Sequence, residues 1–160
     1  MLTQKWIKGE QGDLTDVHAI RRAVFMDEQG LSEEDEFDGT DGSCLHLLIC
    51  DDDLPVATGR IFICEEYFKL GRIATIMTHR GRGIATQLMQ SLVGACVAMG
   101  GTRQIIHSQL TARSFYETLG FTAYGEEFME AGLPHIAMEH IGGIKNCGSG
   151  GHCGGCSKGE

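Results

Sequence analysis

Two arginines and two glycines lie together in the middle of the chain, in the segment THRGRGIAT at residues 78–86. A strand-like stretch precedes this segment, and the strongest helical pattern of the chain follows it. The first turn of a helix presents unpaired backbone N–H groups and the positive end of the helix dipole, and glycine lets an anion approach the backbone closely. Arg80, Gly81, Arg82 and Gly83 therefore favour a phosphate-binding loop. The alternative is a turn that begins a helix and carries two solvated arginines.

The common nucleotide-binding motifs do not explain this loop. The chain has no G-x-x-x-x-G-K-[ST] segment, and Gly81 and Gly83 are followed by Thr86 where a dinucleotide fingerprint expects glycine or alanine. The loop also lies in mid-chain after several strands, which fits a Rossmann unit poorly. Neither motif therefore identifies a ligand for the loop, and a ligand site and a helix-starting turn both stay open.

A second motif carries a family resemblance when it is taken with the loop. Residues 109–121 match the pattern Q-x-x-A-x-x-F-Y-x-x-x-G-F, and residues 80–85 match R-x-x-G-x-A. In this order and spacing the two motifs resemble those of the GNAT N-acetyltransferase superfamily, in which Asn is commoner than Gln at the position of Gln109. VFMDEQ (24–29), EFDGTD (36–41) and AGLPHIAM (131–138) further resemble the ElaA/YjcF-like branch. The resemblance covers residues 2–141.

The resemblance implies an α+β fold with α/β/α layers. Its mixed, mostly antiparallel central sheet would have six to seven strands, splayed between the fourth and fifth strands and flanked by about four helices. Acyl-CoA would enter the V-shaped gap between those strands, with acetyl-CoA as the acyl donor. The residues that would bind the donor are Thr75, Ile76, Met77, Thr78, Arg80, Gly81, Arg82, Gly83, Ile84, Ala85, Thr86, Gln109, Ala112, Phe115 and Tyr116.

The resemblance also implies that Tyr116 protonates the departing thiolate. A tyrosine hydroxyl with a pKa of about 10 is a competent donor at neutral pH. The alternative is a core aromatic that packs beside Phe115. An amine acceptor with a pKa of about 10 must lose a proton before it attacks, and Glu28 and His107 are the candidate bases. Glu28 could instead be a solvated acid at a helix end, and His107 a packed strand residue.

No lysine, serine or cysteine lies in a nucleophile motif such as G-x-S-x-G, which favours direct transfer in a ternary complex over an acyl-enzyme. We therefore expect an N-acyltransferase that acetylates a small, cationic amine. Two alternatives stay open. One is acetylation of protein lysines or N-termini, and the other is a non-catalytic CoA-binding sensor whose tail binds a metal or a partner.

The formal net charge of -9 is distributed unevenly. Residues 27–53 contain eleven acids and no Lys or Arg, whereas residues 67–116 contain six bases and no acid. This pattern indicates two ligand sites of opposite charge preference, although a solvated acidic loop would give the same pattern. The candidate acceptor-binding residues are Gln29, Glu33, Glu34, Glu36, Asp38 and His135. His135 could equally be a hydrogen-bonded residue that supports a strand.

Hydrophobic periodicity predicts the elements that must position these residues. A strand at 2–8 and a helix at about 14–28 are followed by an acidic loop at 30–43. Strands at 44–50, 56–64 and 70–78 form a meander, and a helix at 84–99 ends at Gly100 and Gly101. A strand at 103–109, a short helix at 111–120 and a closing pair of strands complete the domain.

The last fifteen residues, 146–160, differ in composition because they contain six glycines and no large apolar side chain. We expect one GNAT domain at 1–145 and a Gly/Cys-rich tail at 146–160. Cys147, His152, Cys153 and Cys156 favour a zinc site as one alternative, with a flexible tail or an intersubunit contact as the others.

The chain of 160 residues has seven cysteines and no apolar run of membrane-spanning length. An odd number of cysteines without a secretory signal favours reduced thiols and a soluble, cytoplasmic protein. We expect neither nucleic-acid nor membrane partners, and a homodimer stays open.

Overall fold

A seven-stranded sheet in the order β1-β2-β3-β4-β5-β7-β6 organises the chain in the computed structural model, which describes residues 1–143. All neighbouring strands are antiparallel except β4 and β5, which are parallel. The predicted mixed, mostly antiparallel sheet is thereby confirmed. The strands are β1 (Leu2–Lys8), β2 (Cys44–Asp51), β3 (Leu54–Ile63), β4 (Phe68–Thr75), β5 (Arg103–Gln109), β6 (Thr122–Glu130) and β7 (Leu133–Ile141).

Helices cover both faces of this sheet. The helices are α1 (Thr15–Arg21), which continues as a π-helical segment (Arg22–Glu28), α2 (Glu33–Glu36), α3 (Ile84–Ala98) and α4 (Arg113–Thr118). Leu47 of β2 belongs to the buried cluster that includes α3, whereas the next residue, Leu48, belongs to the cluster that includes α1. Since successive residues of a strand point to opposite faces, α1 and α3 pack on opposite sides of the sheet. The expected α/β/α layers are present.

The long helix follows its predicted pattern except at its end. Ile84, Leu88, Leu92 and Cys96 of α3 are buried at intervals of four residues, whereas Met99, also predicted on this face, follows the helix and is 43% exposed. Each fully buried Leu or Ile side chain contributes about 1.5–3 kcal/mol through removal of apolar surface from water. This packing fixes the first turn of α3 against the sheet, and with it the glycine loop that leads into the helix.

The two parallel strands separate soon after they meet. Phe68, Lys69 and Leu70 of β4 pair with Gln104, Ile105 and Ile106 of β5. Beyond these three positions β4 continues to Thr75 and β5 to Gln109 without further pairing. The V-shaped gap expected between the fourth and fifth strands is therefore present.

A β-bulge in β4 lies where the strands part. Gly59 of β3 faces two residues of β4, Arg72 and Ile73, and Arg72 adopts a positive φ of 51°. Bulges bend a strand and increase its local twist, so this one turns β4 away from β5. Gly59 is required there, because a Cβ atom would lie 2.7 Å from Leu92 and 2.8 Å from Ile73.

The predicted end of β4 is wrong. The strand expected at 70–78 ends at Thr75, and Met77–His79 form a 3₁₀ turn. The backbone N–H of Ile76 still bonds to the carbonyl of Val56, but the N–H of His79 then turns back to the carbonyl of Ile76. Of the predicted donor-binding residues Thr75, Ile76, Met77 and Thr78, only Thr75 thus belongs to the strand. Within residues 1–143, no helix is both long and apolar enough to cross a bilayer.

Candidate active site

A cavity of about 720 Å³ occupies the gap between β4 and β5. The bulged part of β4 forms one wall and the end of β5 forms the opposite wall. The β6–β7 hairpin, α4 and the acidic loop close the sides. Its polar lining residues include Gln29, Asp38, Arg72, His107, Gln109, Tyr116, Glu130 and His135.

A smaller cavity of about 280 Å³ lies at the N-terminus of α3. Gly83 precedes the helix with a φ of 78°, and the first N–H that bonds back to this turn is that of Gln87, to the carbonyl of Gly83 at 3.1 Å. The preceding N–H groups of the first turn are left for a ligand, as at other helix N-termini. Thr75 adds a buried Oγ1 that has no hydrogen-bond partner among the described residues. These groups fit the phosphates of an acyl-CoA donor.

Arg80 of this loop is held by two bonds to Glu28. Its Nη1 and Nη2 donate to the Glu28 carboxylate at 2.8 and 2.9 Å, and its Nε donates to the carbonyl of Thr75 at 2.9 Å. Two parallel bonds give an arginine–carboxylate pair a fixed geometry. Glu28 does not line the large cavity. The structure therefore places this candidate base against the phosphate loop.

The end of the π-helical segment also contacts Gln109, the first residue of the second sequence motif. The Gln109 side-chain N–H donates to the side-chain oxygen of Gln29 at 2.8 Å, and both residues line the large cavity. The π-helical segment places Glu28 and Gln29, because its wider turns carry bonds such as that from the N–H of Gln29 to the carbonyl of Val24. π-helical turns are frequent at functional sites.

Tyr116 is buried in the wall of the large cavity. Its side chain packs edge-on against Phe115 and Phe121, and the residue is only 6% exposed. Burial raises the pKa of Tyr116 well above its usual value, so the hydroxyl stays protonated at neutral pH. The ring thus belongs to the core, as the alternative interpretation expected, while the residue also lines the cavity.

An imidazole–carboxylate–imidazole cluster, formed by His107, Glu130 and His135, also lines the large cavity. His107 Nδ1 lies 3.1 Å from one oxygen of Glu130, and His135 Nε2 lies 3.8 Å from the other. The N–H at Nδ1 of His135 donates to the carbonyl of Leu133 at 2.8 Å. The hydrogen bond from His107 is the leading cause that lowers the pKa of Glu130, so the carboxylate is ionised at neutral pH. Phe128 packs against both imidazole rings.

The acidic loop is neutralised from within the protein. Glu36 is buried and pairs with Arg21 and Arg72, while Asp38 pairs with Arg60 at 3.2 Å. These arginines come from α1, β3 and β4, so the loop is fastened to the sheet. Such pairs were not anticipated, since the bases are distant in sequence and the stretch itself contains none.

Asp41 completes this cluster, which we call the arginine–acid cluster and which consists of Arg21, Arg60, Arg72, Glu36, Asp38 and Asp41. Asp41 accepts from Nη1 of Arg21 at 2.6 Å and from Nη1 of Arg60 at 2.8 Å. Burial acts to raise the pKa of Asp41, but these bonds and charges outweigh it and lower the pKa to about 2. The pKa of Asp38 is also lowered, because hydrogen bonds from Thr40 and Arg60 outweigh its partial burial. Both carboxylates are ionised at neutral pH.

The structure divides the predicted donor residues between the two cavities. Three line the large cavity, namely Gln109, Ala112 and Tyr116. Eight line the small cavity, namely Thr75, Arg80, Gly81, Gly83, Ile84, Ala85, Thr86 and Phe115. Four line neither, namely Ile76, Met77, Thr78 and Arg82. Met77, for example, is 64% exposed because the chain has already left β4.

Of the predicted acceptor residues, Gln29, Glu36, Asp38 and His135 line the large cavity, as does the candidate base His107. Glu33 and Glu34 do not, and Glu33 pairs with Arg22 on the surface. The sequence reasoning missed Glu130, Arg60 and Arg72. A two-residue turn between β6 and β7 is the signal that could have brought Glu130 close to His135.

The proposed tail ligands Cys147, His152, Cys153 and Cys156 lie outside the described residues, as does the boundary at 145/146. In the part of the chain that the structure covers, no group of three or more His, Cys, Asp or Glu side chains is placed to hold a metal ion.

Comparison with known proteins identifies the class that this fold and site define. The model of the acetyltransferase (GNAT) domain family matches residues 15–141, and the chain belongs to this family. It is 32% identical over 133 residues to the uncharacterized N-acetyltransferase YjcF of Bacillus subtilis, covering 82% of this chain and 95% of that protein. The structure of Escherichia coli ElaA superposes with a TM-score of 0.77 at 28% identity, covering 88% and 99% of the two chains.

A Pseudomonas aeruginosa acyl-CoA N-acyltransferase shares the fold, with a TM-score of 0.77, 24% identity, and coverage of 88% of this chain and all of that one (100%). The predicted resemblance to the GNAT superfamily and to its ElaA/YjcF-like members is confirmed. The protein is an acyltransferase of the GNAT type.

Proposed function

We propose that the protein transfers an acetyl group from acetyl-CoA to the amine of a small acceptor, by direct attack within a ternary complex. The acceptor is cationic in water, because an alkyl amine with a pKa of about 10 is protonated at neutral pH. The donor would lie with its pyrophosphate on the first turn of α3 and its pantetheine arm along the separated edges of β4 and β5.

The observation that carries this proposal is the position of α4 between the two cavities. Phe115 lines the small cavity at the phosphate loop, and the next residue, Tyr116, lines the large cavity. A donor with its phosphates in the small cavity would therefore extend toward Tyr116 with its thioester. The large cavity of about 720 Å³ leaves room for an acceptor beside the thioester.

The acceptor ammonium first gives one proton to a base. The neutral amine then attacks the thioester carbonyl, an N–C bond forms, and the C–S bond breaks with its electron pair on sulfur. Tyr116 donates its proton to the sulfur, and the second proton lost by the nitrogen restores the Tyr116 hydroxyl. The products are an amide and the free thiol of CoA.

His107 is the better placed of the two candidate bases. It lines the large cavity, whereas the carboxylate of Glu28 is bound to Arg80 outside that cavity. We therefore assign the base to His107 and give Glu28 a different role, in which it holds Arg80 at the phosphate loop. Of the acceptor-binding residues predicted from the sequence, we propose Gln29 and His135 as contacts of the acceptor.

The acceptor is recognised by few free charges. Glu36 and Asp38 line the cavity but are compensated by Arg21, Arg60 and Arg72, so the acidic stretch adds little net attraction for a cation. Glu33 and Glu34 lie outside the cavity. The size and shape of the cavity, together with the groups around His107, would therefore select the acceptor.

Release of thiol from acetyl-CoA, measured against a panel of polyamines, aminosugars, amino acids and peptides, tests the proposal. Turnover with a small amine supports it, and turnover with peptides alone would favour protein acetylation. Tight CoA binding without turnover would favour the CoA-binding sensor. Kinetics with intersecting lines support a ternary complex, whereas parallel lines with a trapped acyl-protein would contradict it. A cytoplasmic location and a homodimer stay predictions.

A further inference from the structure

We propose that Glu130 is a positioning residue for His107, holding its imidazole in the tautomer whose Nε2 takes the proton of the acceptor amine. The inference rests on the proposed N-acyltransferase function and adds to it a residue from the β6–β7 hairpin.

The geometry of the pair supports this role. Glu130 is the last residue of β6 and His107 lies in β5, so β7 separates their strands in the sheet. Their side chains nevertheless meet, with His107 Nδ1 at 3.1 Å from Glu130 Oε1, and both residues line the large cavity. The imidazole is 30% exposed and the carboxylate 41% exposed, so both are accessible to an acceptor in the cavity.

Hydrogen-bond chemistry then fixes the tautomer. An ionised carboxylate only accepts hydrogen bonds, so the bond to Glu130 requires the proton of the neutral His107 ring to be on Nδ1. Nε2 then carries the lone pair, and it has no hydrogen-bond partner among residues 1–143. A histidine whose Nδ1–H is held by a carboxylate presents the lone pair of Nε2 as a general base, as in the Ser-His-Asp triad.

The surrounding groups keep Glu130 ionised and the ring in place. His135 of β7 faces the second carboxylate oxygen at 3.8 Å, and the charge of Lys69 on β4 acts in the same direction on the pKa of Glu130. Phe128 packs edge-on against the His107 ring at a centroid distance of 5.0 Å. The other charged residues that line the cavity are Asp35, Glu36, Asp38, Arg60 and Arg72.

The carboxylate would act on both states of the base. Before the reaction it orients Nε2, and after proton transfer it stabilises the imidazolium that has formed. Removal of Glu130 should therefore slow the chemical step, with little effect on the binding of acetyl-CoA at α3.

The first test compares kcat with the KM for acetyl-CoA in Glu130→Gln, Glu130→Ala and Glu130→Asp. The matched control is Glu127→Gln, since Glu127 is an exposed acid of the same strand that does not line the cavity. In Glu130→Gln kcat should fall while the KM for acetyl-CoA stays that of the wild type, because an amide does not fix the tautomer of His107 as an ionised carboxylate does. In Glu130→Ala kcat should fall by about 10- to 100-fold, the usual loss for a group that orients another functional side chain. Glu130→Asp should recover part of the rate, and Glu127→Gln should match the wild type.

The second test does not depend on activity. Imidazole ¹⁵N–¹H spectra of the wild type should show neutral His107 protonated at Nδ1, and Glu130→Ala should lose that preference. A wild-type ring protonated at Nε2, or an active Glu130→Ala variant with unchanged kcat, would overturn the role of Glu130. A wild type that binds acetyl-CoA but acetylates no amine would instead refute the proposed function, and the proton-transfer role of the pair with it.

Discussion

Substitution of Glu36 by glutamine should destabilise the protein strongly, although the residue lies in a loop. Glu36 is 1% exposed and pairs with Arg21, which is fully buried, and with Arg72. Loss of one partner from a buried ion pair costs about 3–5 kcal/mol, because the remaining charge stays out of water. Arg21 keeps its bonds to Asp41 and to the backbone carbonyl of Glu36, so we expect the lower end, about 3 kcal/mol.

Thermal and urea unfolding measure this cost directly. For a domain of this size each kcal/mol corresponds to about 2–4 °C, so the melting temperature should fall by roughly 6–12 °C. The control is Glu33→Gln, which removes an exposed pair with Arg22 and should cost at most about 1 kcal/mol. A Glu36→Gln protein as stable as Glu33→Gln would refute the interpretation of the loop as a buried ionic brace.

The same cluster determines how stability depends on pH. The folded pKa of Asp41, about 2, lies below its unfolded value of about 3.9. A depressed pKa contributes stability that is fully present above the unfolded value and is lost as the pH falls through the folded one. Unfolding should therefore become easier between about pH 4 and pH 2, and the loss should be smaller in a variant in which Asp41 is replaced by Asn.

Three further predictions concern catalysis and donor binding. Tyr116→Phe should lower kcat by about 10²- to 10⁴-fold without weakening acetyl-CoA binding, as measured by steady-state kinetics and calorimetry, and unchanged turnover would remove the hydroxyl from the mechanism. Gly83→Ala should weaken acetyl-CoA binding. The control is Gly125→Ala, which imposes a side chain at a similar positive φ of 74° in β6, at a residue that lines neither cavity. It should cost similar stability, about 1–2 kcal/mol, and leave binding intact. Glu28→Gln should loosen Arg80 at the phosphate loop and raise the KM for acetyl-CoA by up to about fivefold at low salt, the range of an exposed ion pair. A kcat loss of more than 100-fold in that variant would make Glu28 the base instead.

Local sequence patterns predicted most of the fold because each element has its own signal. The four-residue interval of Ile84, Leu88 and Leu92 defines α3, and the two motifs locate the phosphate loop and Tyr116. The end of β4 was predicted too late because Ile76 and Thr78 are good strand residues by type. The turn at Met77–His79 is closed by the bond from the N–H of His79 to the carbonyl of Ile76, and His79 Nε2 lies 3.0 Å from the Asp51 carboxylate of β2, a contact between distant segments that composition does not encode.

The site was harder to predict where it depends on pairing between distant segments. Glu130 meets His107 only because the hairpin register places His135 beside Gln109 and carries the end of β6 over the cavity. The acidic stretch was likewise interpreted as ligand-facing charge, since its compensating Arg21, Arg60 and Arg72 lie on three other elements. Net charge along a sequence does not report which carboxylates are paired in the fold.

Arg72 connects the shape of the gap with the acidic loop. Its positive φ belongs to the bulge that turns β4 away from β5, and its guanidinium donates to the backbone carbonyl of Glu36 at 3.1 Å. A backbone conformation of this kind costs about 1–3 kcal/mol and persists only where surrounding contacts stabilise it. Because the ion pair with Glu36 supplies such a contact, weakening the arginine–acid cluster should alter the acceptor side of the cavity first. The KM for the acceptor in Glu36→Gln should therefore rise more than the KM for acetyl-CoA, whose phosphates bind at α3, and equal changes in the two constants would contradict this coupling.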